Sequence, residues 1–243
     1  ESKDENGSTA TAQEVSFPVA ICGMCGNAED VDYYKFTGKA GQLVTINIYA
    51  QRVTKAVHSM QSGGSGASVM YLMDSILTLR RSNGQILADN DNFVGGDSFL
   101  TCKLPADGSY FLEVRDTRFI GNPKYVYCVE IADRPFAHAV FPMAVQQGKT
   151  IEAAIVGHNL GALEKTTLHS AAGDSLGWKR ISITTPQGQT NPVPVLVSAY
   201  PQLVATGNHS LAKAMPLSLP VGVNGRLSEP DEVHYYSFDA KKN

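Results

Sequence analysis

Short apolar-alternating runs, each closed by a turn signal, follow one another from residue 17 to residue 132 of this 243-residue chain. They read FPVAICGM, VDYYKFTG, QLVTINIYA, DSILTLRRS, GQILADND, SFLTCKLP, SYFLEVRD and YVYCVEIA. A period of two puts residues i and i+2 on one face of a strand, whereas a helix needs a period near 3.6. In LVTINIYA, Val44, Ile46 and Ile48 share one face, and Thr45 and Asn47 the other. In SYFLEVRD, Tyr110, Leu112 and Val114 oppose Phe111, Glu113 and Arg115. Tyr125 and Tyr127 fall on the face of Val129 and Ile131 and read as core, while Tyr33 and Tyr34 point to opposite faces. Asn83-Gly84 suits a type I′ hairpin turn, and PADGSY at 105–110 is a second turn. Eight strands at this spacing predict an all-β chain whose first part is an antiparallel, jelly-roll-like β-sandwich. Only VTKAVHSMQSGGSGASVMY (53–71) interrupts the pattern. Its Gly/Ser centre reads as a long loop, either a mobile insertion or a binding loop, with His58, Met60 and Tyr71 as its distinctive chemistry.

Composition agrees. Hydrophobic residues make up 43% of the chain, enough for a core, and charged residues only 18%, below the usual quarter. A net charge of −3 provides no basic field for a phosphate backbone, so nucleic acid is not an expected partner. No run of 18 apolar residues is present, so no membrane span is expected. No signal peptide is visible, and the opening ESKDENGSTATAQ without Met fits a trimmed segment.

A boundary falls at DRPFAH (133–138), after which a second series of short strands begins: HAVFPMAVQQGKTIEAAIVGHNLG, KRISITTPQG and PVPVLVSAYPQ. Trp178, the only Trp, lies in this part and is expected in a core or at a domain interface. A third segment starts near 208. Laying residue 17 over residue 219, an offset of 202, aligns 17–41 with 219–243 without a gap. Pro18/Pro220, Val19/Val221, Gly23/Gly225, Val31/Val233, Tyr33/Tyr235, Tyr34/Tyr236, Phe36/Phe238 and Lys39/Lys241 are identical. The expected organisation is therefore a sandwich at 1–133, a smaller β domain at 134–207, and the first strands of a second copy of domain one at 208–243. Two strands cannot bury a core of their own. They belong to a longer protein or are lent to the middle domain.

The candidate chemistry is sparse. In ADNDNFVGGDS (88–98), Asp89, Asp91, Asn92 and Asp97 could offer hard oxygens to Ca²⁺, although Asp and Asn are also good turn formers. The loop is no EF-hand, because no Glu sits at the twelfth position and a strand precedes it. Asp30 and Asp32 in NAEDVD read as a structural turn. Cys22, Cys25, Cys102 and Cys128 allow three disulfide pairings. Structural disulfides of an exported protein are the preferred reading, with buried thiols the alternative. Zinc on Cys22-x-x-Cys25 would want a second close pair, and Cys102 and Cys128 are 26 residues apart with no His between them. None of His58, His138, His158, His169, His209 and His234 forms a zincin motif, and no nucleophile elbow, Walker loop or dinucleotide fingerprint is present. The sequons Asn6-Gly7-Ser8 and Asn208-His209-Ser210 would matter only in a eukaryotic secretory host.

Through EDVDYYKFTGKAGQLVTINI, LADNDN and GGDSFLTCKLPADGSYFLEVRD, residues 4–132 resemble the bacterial pre-peptidase C-terminal domain. The resemblance implies a β-sandwich of secreted, multidomain bacterial proteins with an adhesive, targeting or secretion-assisting role and no catalysis of its own. Some relatives hold calcium through an acidic opening, Glu-Pro-Asn-Asp. The matching stretch here is Asp4-Glu5-Asn6-Gly7, so Asp4 and Asn6 are implied calcium ligands while Gly7 lacks the carboxylate. Through VFPMAVQQGKTIEAAIVGHNLG, residues 134–205 resemble an immunoglobulin-like domain of the plexin and transcription-factor type. The expectation is a non-catalytic module of a larger protein, secreted or held at the cell surface or in the periplasm. Its expected partner is an extracellular polysaccharide or protein, or neighbouring domains of the same chain. The alternative is a structural spacer or an accessory to a peptidase domain.

Overall fold

The computed structural model describes residues 5–53, 59–61, 68–70 and 72–241. Expectations placed on Asp4, His58, Tyr71 and the side chain of Met60 lie outside the described residues. The chain folds as two compact units, Glu1–Asp133 and Arg134–Asn243. Among the described residues the regular structure is strand plus two 3-10 turns, and no helix is long and apolar enough to cross a membrane.

In the first unit the strands are β1 (Gln13–Glu14), β2 (Val19–Met24), β3 (Val31–Gly38), β4 (Leu43–Tyr49), β5 (Ser59–Gln61), β6 (Ser68–Met70), β7 (Ser75–Arg81), β8 (Ile86–Asn90), β9 (Phe99–Lys103), β10 (Gly108–Asp116) and β11 (Val126–Ala132). One sheet runs β1-β3-β10-β7-β8 and another β2-β11-β4-β9; β5 and β6 pair only with each other. Each of the eight runs read from the sequence is a strand, because alternation is a local property that survives whatever the partner. The inner rows are those expected: Val44, Ile46, Ile48, Tyr110, Leu112, Val114, Tyr125, Tyr127, Val129 and Ile131 are all buried. The other face of β4 is buried as well, with Thr45 and Asn47 nearly inaccessible. Gly23 on β2 admits a close neighbour. A Cβ there would lie 2.5 Å from the Tyr127 ring, so only glycine lets that ring close over the strand.

The hairpin at 82–85 departs from the expected type I′ turn. Such a turn needs positive φ at both central residues. Here Gly84 has φ +83°, while Asn83 is not among the positive-φ residues. The Gly84 N–H instead donates to the Arg81 carbonyl at 2.9 Å. That is a three-residue loop with glycine in the left-handed position.

The second unit contains β12 (Phe136–Phe141), β13 (Ala144–Gln146), β14 (Thr150–His158), β15 (Lys165–His169), β16 (Gly177–Ile181), β17 (Thr184–Thr185), β18 (Gly188–Gln189), β19 (Val193–Ser198), β20 (Gln202–Val204), β21 (Met215–Pro216), β22 (Gly222–Asn224) and β23 (Tyr236–Ser237). Two three-stranded sheets, β12-β14-β15 and β13-β19-β16, enclose Val140, Val145, Ala153, Ile155, Leu168, Val193, Val195 and Val197.

The C-terminal segment repeats the local geometry of the chain's opening, residue for residue at an offset of 202. β1 pairs parallel with β3 as Gln13↔Tyr34, and β21 with β23 as Met215↔Tyr236. The Tyr33 N–H donates to the Asn6 carbonyl at 2.9 Å, and the Tyr235 N–H to the Asn208 carbonyl at 2.8 Å. Glu29 and Asp231 both sit at positive φ, +64° and +61°, a conformation that non-glycine residues seldom adopt. The structural repeat thus begins at Asn6 and Asn208, upstream of the frame read from the sequence. What differs is the partner. β2 pairs antiparallel with β11, whereas β22 pairs parallel with β20. Asn224 ties β22 to the strands before it: its Oδ1 accepts the N–H groups of Met143 and Ala144, both at 3.0 Å.

Candidate functional site

The four oxygens proposed for calcium do not behave alike. Asp97 is fully buried, and its carboxylate caps the 3-10 turn at Gln51–Val53 that follows β4. Its Oδ1 accepts the N–H groups of Ala50 and Gln51 at 3.0 and 2.7 Å, and its Oδ2 accepts the Arg52 N–H at 3.1 Å and Nε at 2.6 Å. A turn leaves its first N–H groups without internal partners, and a carboxylate is well suited to satisfy them. Asp89, Asp91 and Asn92 are exposed, so Asp97 is set apart from the other three. Asn6 is buried, at 2% exposure, under the Tyr33 pairing described above.

No disulfide joins the four cysteines, which corrects the preferred expectation. The sheet order β2-β11-β4-β9 explains which thiols can meet. Cys22 and Cys128 are direct cross-strand partners. Cys102 lies on β9 opposite Val44, whereas Cys128 lies opposite Tyr49; two strands across and five residues along β4 put the two thiols roughly 19 Å apart at the usual strand spacings. Burial, followed by the hydrogen bond to Cys22, pushes the Cys128 thiol up to about 11; burial also raises that of Cys102.

Asp32 does not take part in an exposed turn. It is 1% exposed and points inward with Tyr34, because β3 alternates. The Tyr127 hydroxyl donates to Asp32 Oδ2 at 2.5 Å and lies 2.5 Å from the Tyr34 hydroxyl. Burial, then the neighbouring Tyr34 and Asp32, holds the Tyr127 phenol well above its ordinary range. On the opposite face Tyr33 donates to Glu113, which also accepts from Arg80 and Arg115. A shallow cleft of about 670 Å³ in the same unit is lined by Glu14, Phe17, Thr37, Lys39, Gln42 and Asp133. It brings together no group with an evident catalytic arrangement.

Trp178 is not in the core: it is 63% exposed. β16 pairs with β19 so that Ile181 lies opposite Val193 and Trp178 opposite Leu196. The valines of β19 face inward, and this register turns the indole outward together with the exposed Arg180.

Sequence reasoning missed one cluster. His209, Glu232 and His234 bring their ligand atoms within 4.8 Å of one another, and among the described residues they are the only such group of three His, Cys, Asp or Glu. Glu232 Oε1 lies 2.9 Å from His234 Nε2 and 3.3 Å from His209 Nδ1. Its Oε2 accepts the backbone N–H groups of Ser228 and Glu229 at 2.5 and 3.0 Å. The Ser228 N–H, then His234, then the Glu229 N–H hold this carboxyl down to about 2. The missing signal was the shared Asn-x-Ser of residues 6–8 and 208–210. Extending the repeat to it sets His209 beside the segment that carries His234, just before β23.

Residues 30–116 match the family model of the bacterial pre-peptidase C-terminal domain. That stretch of the first unit is similar to the pre-peptidase C-terminal domain. A probable subtilase-type serine protease of Deinococcus radiodurans is 38% identical over 113 residues, which are 46% of this chain and 14% of that protease. The chain thus spans a small part of that relative's length. Among solved structures, the pre-peptidase C-terminal domain of a Bacillus anthracis collagenase is 14% identical, with 49% of this chain and 93% of that chain covered and a TM-score of 0.33. The g-type lysozyme inhibitor PliG of Aeromonas hydrophila, a periplasmic protein, is 20% identical, with 49% and 98% covered and a TM-score of 0.29. The pre-peptidase C-terminal domain is typically a non-catalytic module of peptidases.

Proposed function

We propose that this chain is a non-catalytic part of an exported, multidomain bacterial protein and that it holds an extracellular polysaccharide or protein. The observation that carries the reading is Trp178, the chain's only indole, set outward on β16 at 63% exposure beside the exposed Arg180. A solvent-facing indole is a stacking platform for sugar rings and an anchor for protein side chains, and arginine beside it adds directed donors. The likeness of residues 30–116 to the pre-peptidase C-terminal domain supports the exported, modular part of the reading. The return of its opening geometry at 208–241 supports a chain built from repeated modules. The second unit, with two three-stranded sheets around one core, is read as an immunoglobulin-like sandwich. Calcium at Asp89, Asp91 and Asn92 enters this reading only as an aid to loop order.

Retention of the chain on collagen, cellulose, chitin and peptidoglycan, each with calcium and with chelator, tests the proposal. Binding to one polymer is the expected outcome. Loss of that binding under chelator would assign a cation to the binding form. Absence of retention on all four would favour a spacer that holds other domains apart.

A further inference from the structure

We propose that His209, Glu232 and His234 form a binding site for one divalent transition-metal ion of the zinc class. Two imidazoles and one carboxylate are a donor set that zinc accepts with a fourth position left open. Calcium, which takes six to eight oxygens, is poorly served by a single carboxylate. Tetrahedral bonds of about 2.0–2.1 Å put ligand atoms roughly 3.3–3.4 Å apart. The His209 Nδ1 to Glu232 Oε1 separation is already 3.3 Å, and the 2.9 Å from His234 Nε2 to the same oxygen needs to open by only a few tenths of an ångström.

The donors are held before any ion arrives. Ser228 and Glu229 bind Glu232 Oε2 through their backbone N–H groups, which leaves Oε1 aimed at both rings. The ladder between Asn208 and Tyr235 runs both ways: the Tyr235 N–H donates to the Asn208 carbonyl, and Asn208 Nδ2 donates to the Tyr235 carbonyl at 3.0 Å. This fixes His209 next to the neighbour of His234. Beyond the donors, the Tyr236 hydroxyl stands 3.4 Å from His234 Nδ1, where a second partner orients a metal-bound imidazole. The His234 and Glu232 side chains are 10% and 12% exposed, and that of His209 is 53% exposed. The ion would therefore be approached from the His209 side, and its open position would face solvent.

The first copy of the repeat serves as an internal comparison. The local turn and the pairing of Asn6 with Tyr33 recur there, and Asp30 Oδ2 accepts the Gly26 N–H at 2.7 Å, as Glu232 accepts that of Ser228. The residues matching His209, Glu232 and His234 are Gly7, Asp30 and Asp32, and Asp32 is bonded to Tyr127 inside the core. The imidazoles are a property of the second copy alone, so the site is not a by-product of the repeated backbone.

Calorimetric titration of the whole, untagged chain with Zn²⁺, together with the visible absorption of added Co²⁺, tests the proposal. The expected result is one equivalent of Zn²⁺ and a tetrahedral Co²⁺ spectrum. His209→Ala, which removes an exposed side chain and leaves the strands in place, should weaken binding by at least about tenfold. Glu232→Gln should do the same, and His169→Ala, outside the cluster, should change nothing. Failure to bind one equivalent, or equal affinity in wild type and His209→Ala, would overturn it.

Discussion

Arg52 and Asp97 meet at 2.6 Å, the carboxylate fully buried and the guanidinium at the rim with 28% of its side chain exposed. Asp97 organises the turn after β4, whereas Asp89, Asp91 and Asn92 are exposed.

Asp97→Ala should therefore destabilise the first unit by on the order of 3 kcal/mol, since it leaves three backbone N–H groups and a guanidinium without their acceptor. The loss should be the same in calcium and in chelator. Urea denaturation of wild type and variant in both buffers checks this. A loss seen only in calcium would make Asp97 a metal ligand instead.

The thiol pair makes a separate prediction. Mild oxidation should join Cys22 to Cys128, the cross-strand partners, and leave the buried Cys25 unmodified. Non-reducing peptide mapping reads the linkage directly. A Cys22–Cys25 bond as the first product would contradict the register of β2 and β11.

His138 supplies a pH dependence. Burial, then the neighbouring His158, lowers its pKa from 6.5 to about 4, and burial also lowers that of His158. The rings lie 4.9 Å apart, and the Phe136 ring lies 5.1 Å from that of His138. Below 6.5 the unfolded chain takes up a proton that the folded chain refuses. This contribution to stability is full above about 6.5 and is lost as the pH falls toward about 4. Urea midpoints of the second unit across that window should fall with pH. His138→Phe should flatten the slope.

Asn224 gives a test of how the C-terminal segment is held. Asn224→Ala removes the acceptor of the Met143 and Ala144 N–H groups and should cost about 2 kcal/mol. Hydrogen exchange at Met143, Ala144 and Gly222–Asn224 should speed up together. Faster exchange at Gly222–Asn224 alone would mean that β22 is held by β20 only.

The strands were legible and the sites were not, for physical reasons. Alternation in VDYYKFTG or SYFLEVRD is imposed by the strand itself, so every run could be found without its partner. Trp178 could not be placed, because its face depends on the register of β16 against β19. Asp97 could not be separated from Asp91, since aspartate serves a turn and a cation with the same oxygens. The metal-ligating cluster joins residues 209 and 234 through a backbone pairing that appears only when the repeat is carried back to Asn6 and Asn208. The cysteine pairing stayed open because spacing along the chain says nothing of which strands are neighbours.

The measurement closest to the central claim compares wild type with Trp178→Ala on the polymer that retains the chain, with stability monitored in parallel. An exposed side chain can be removed at little cost to folding, so the proposal predicts loss of retention with unfolding unchanged. Full retention by Trp178→Ala would contradict it and place the binding surface elsewhere.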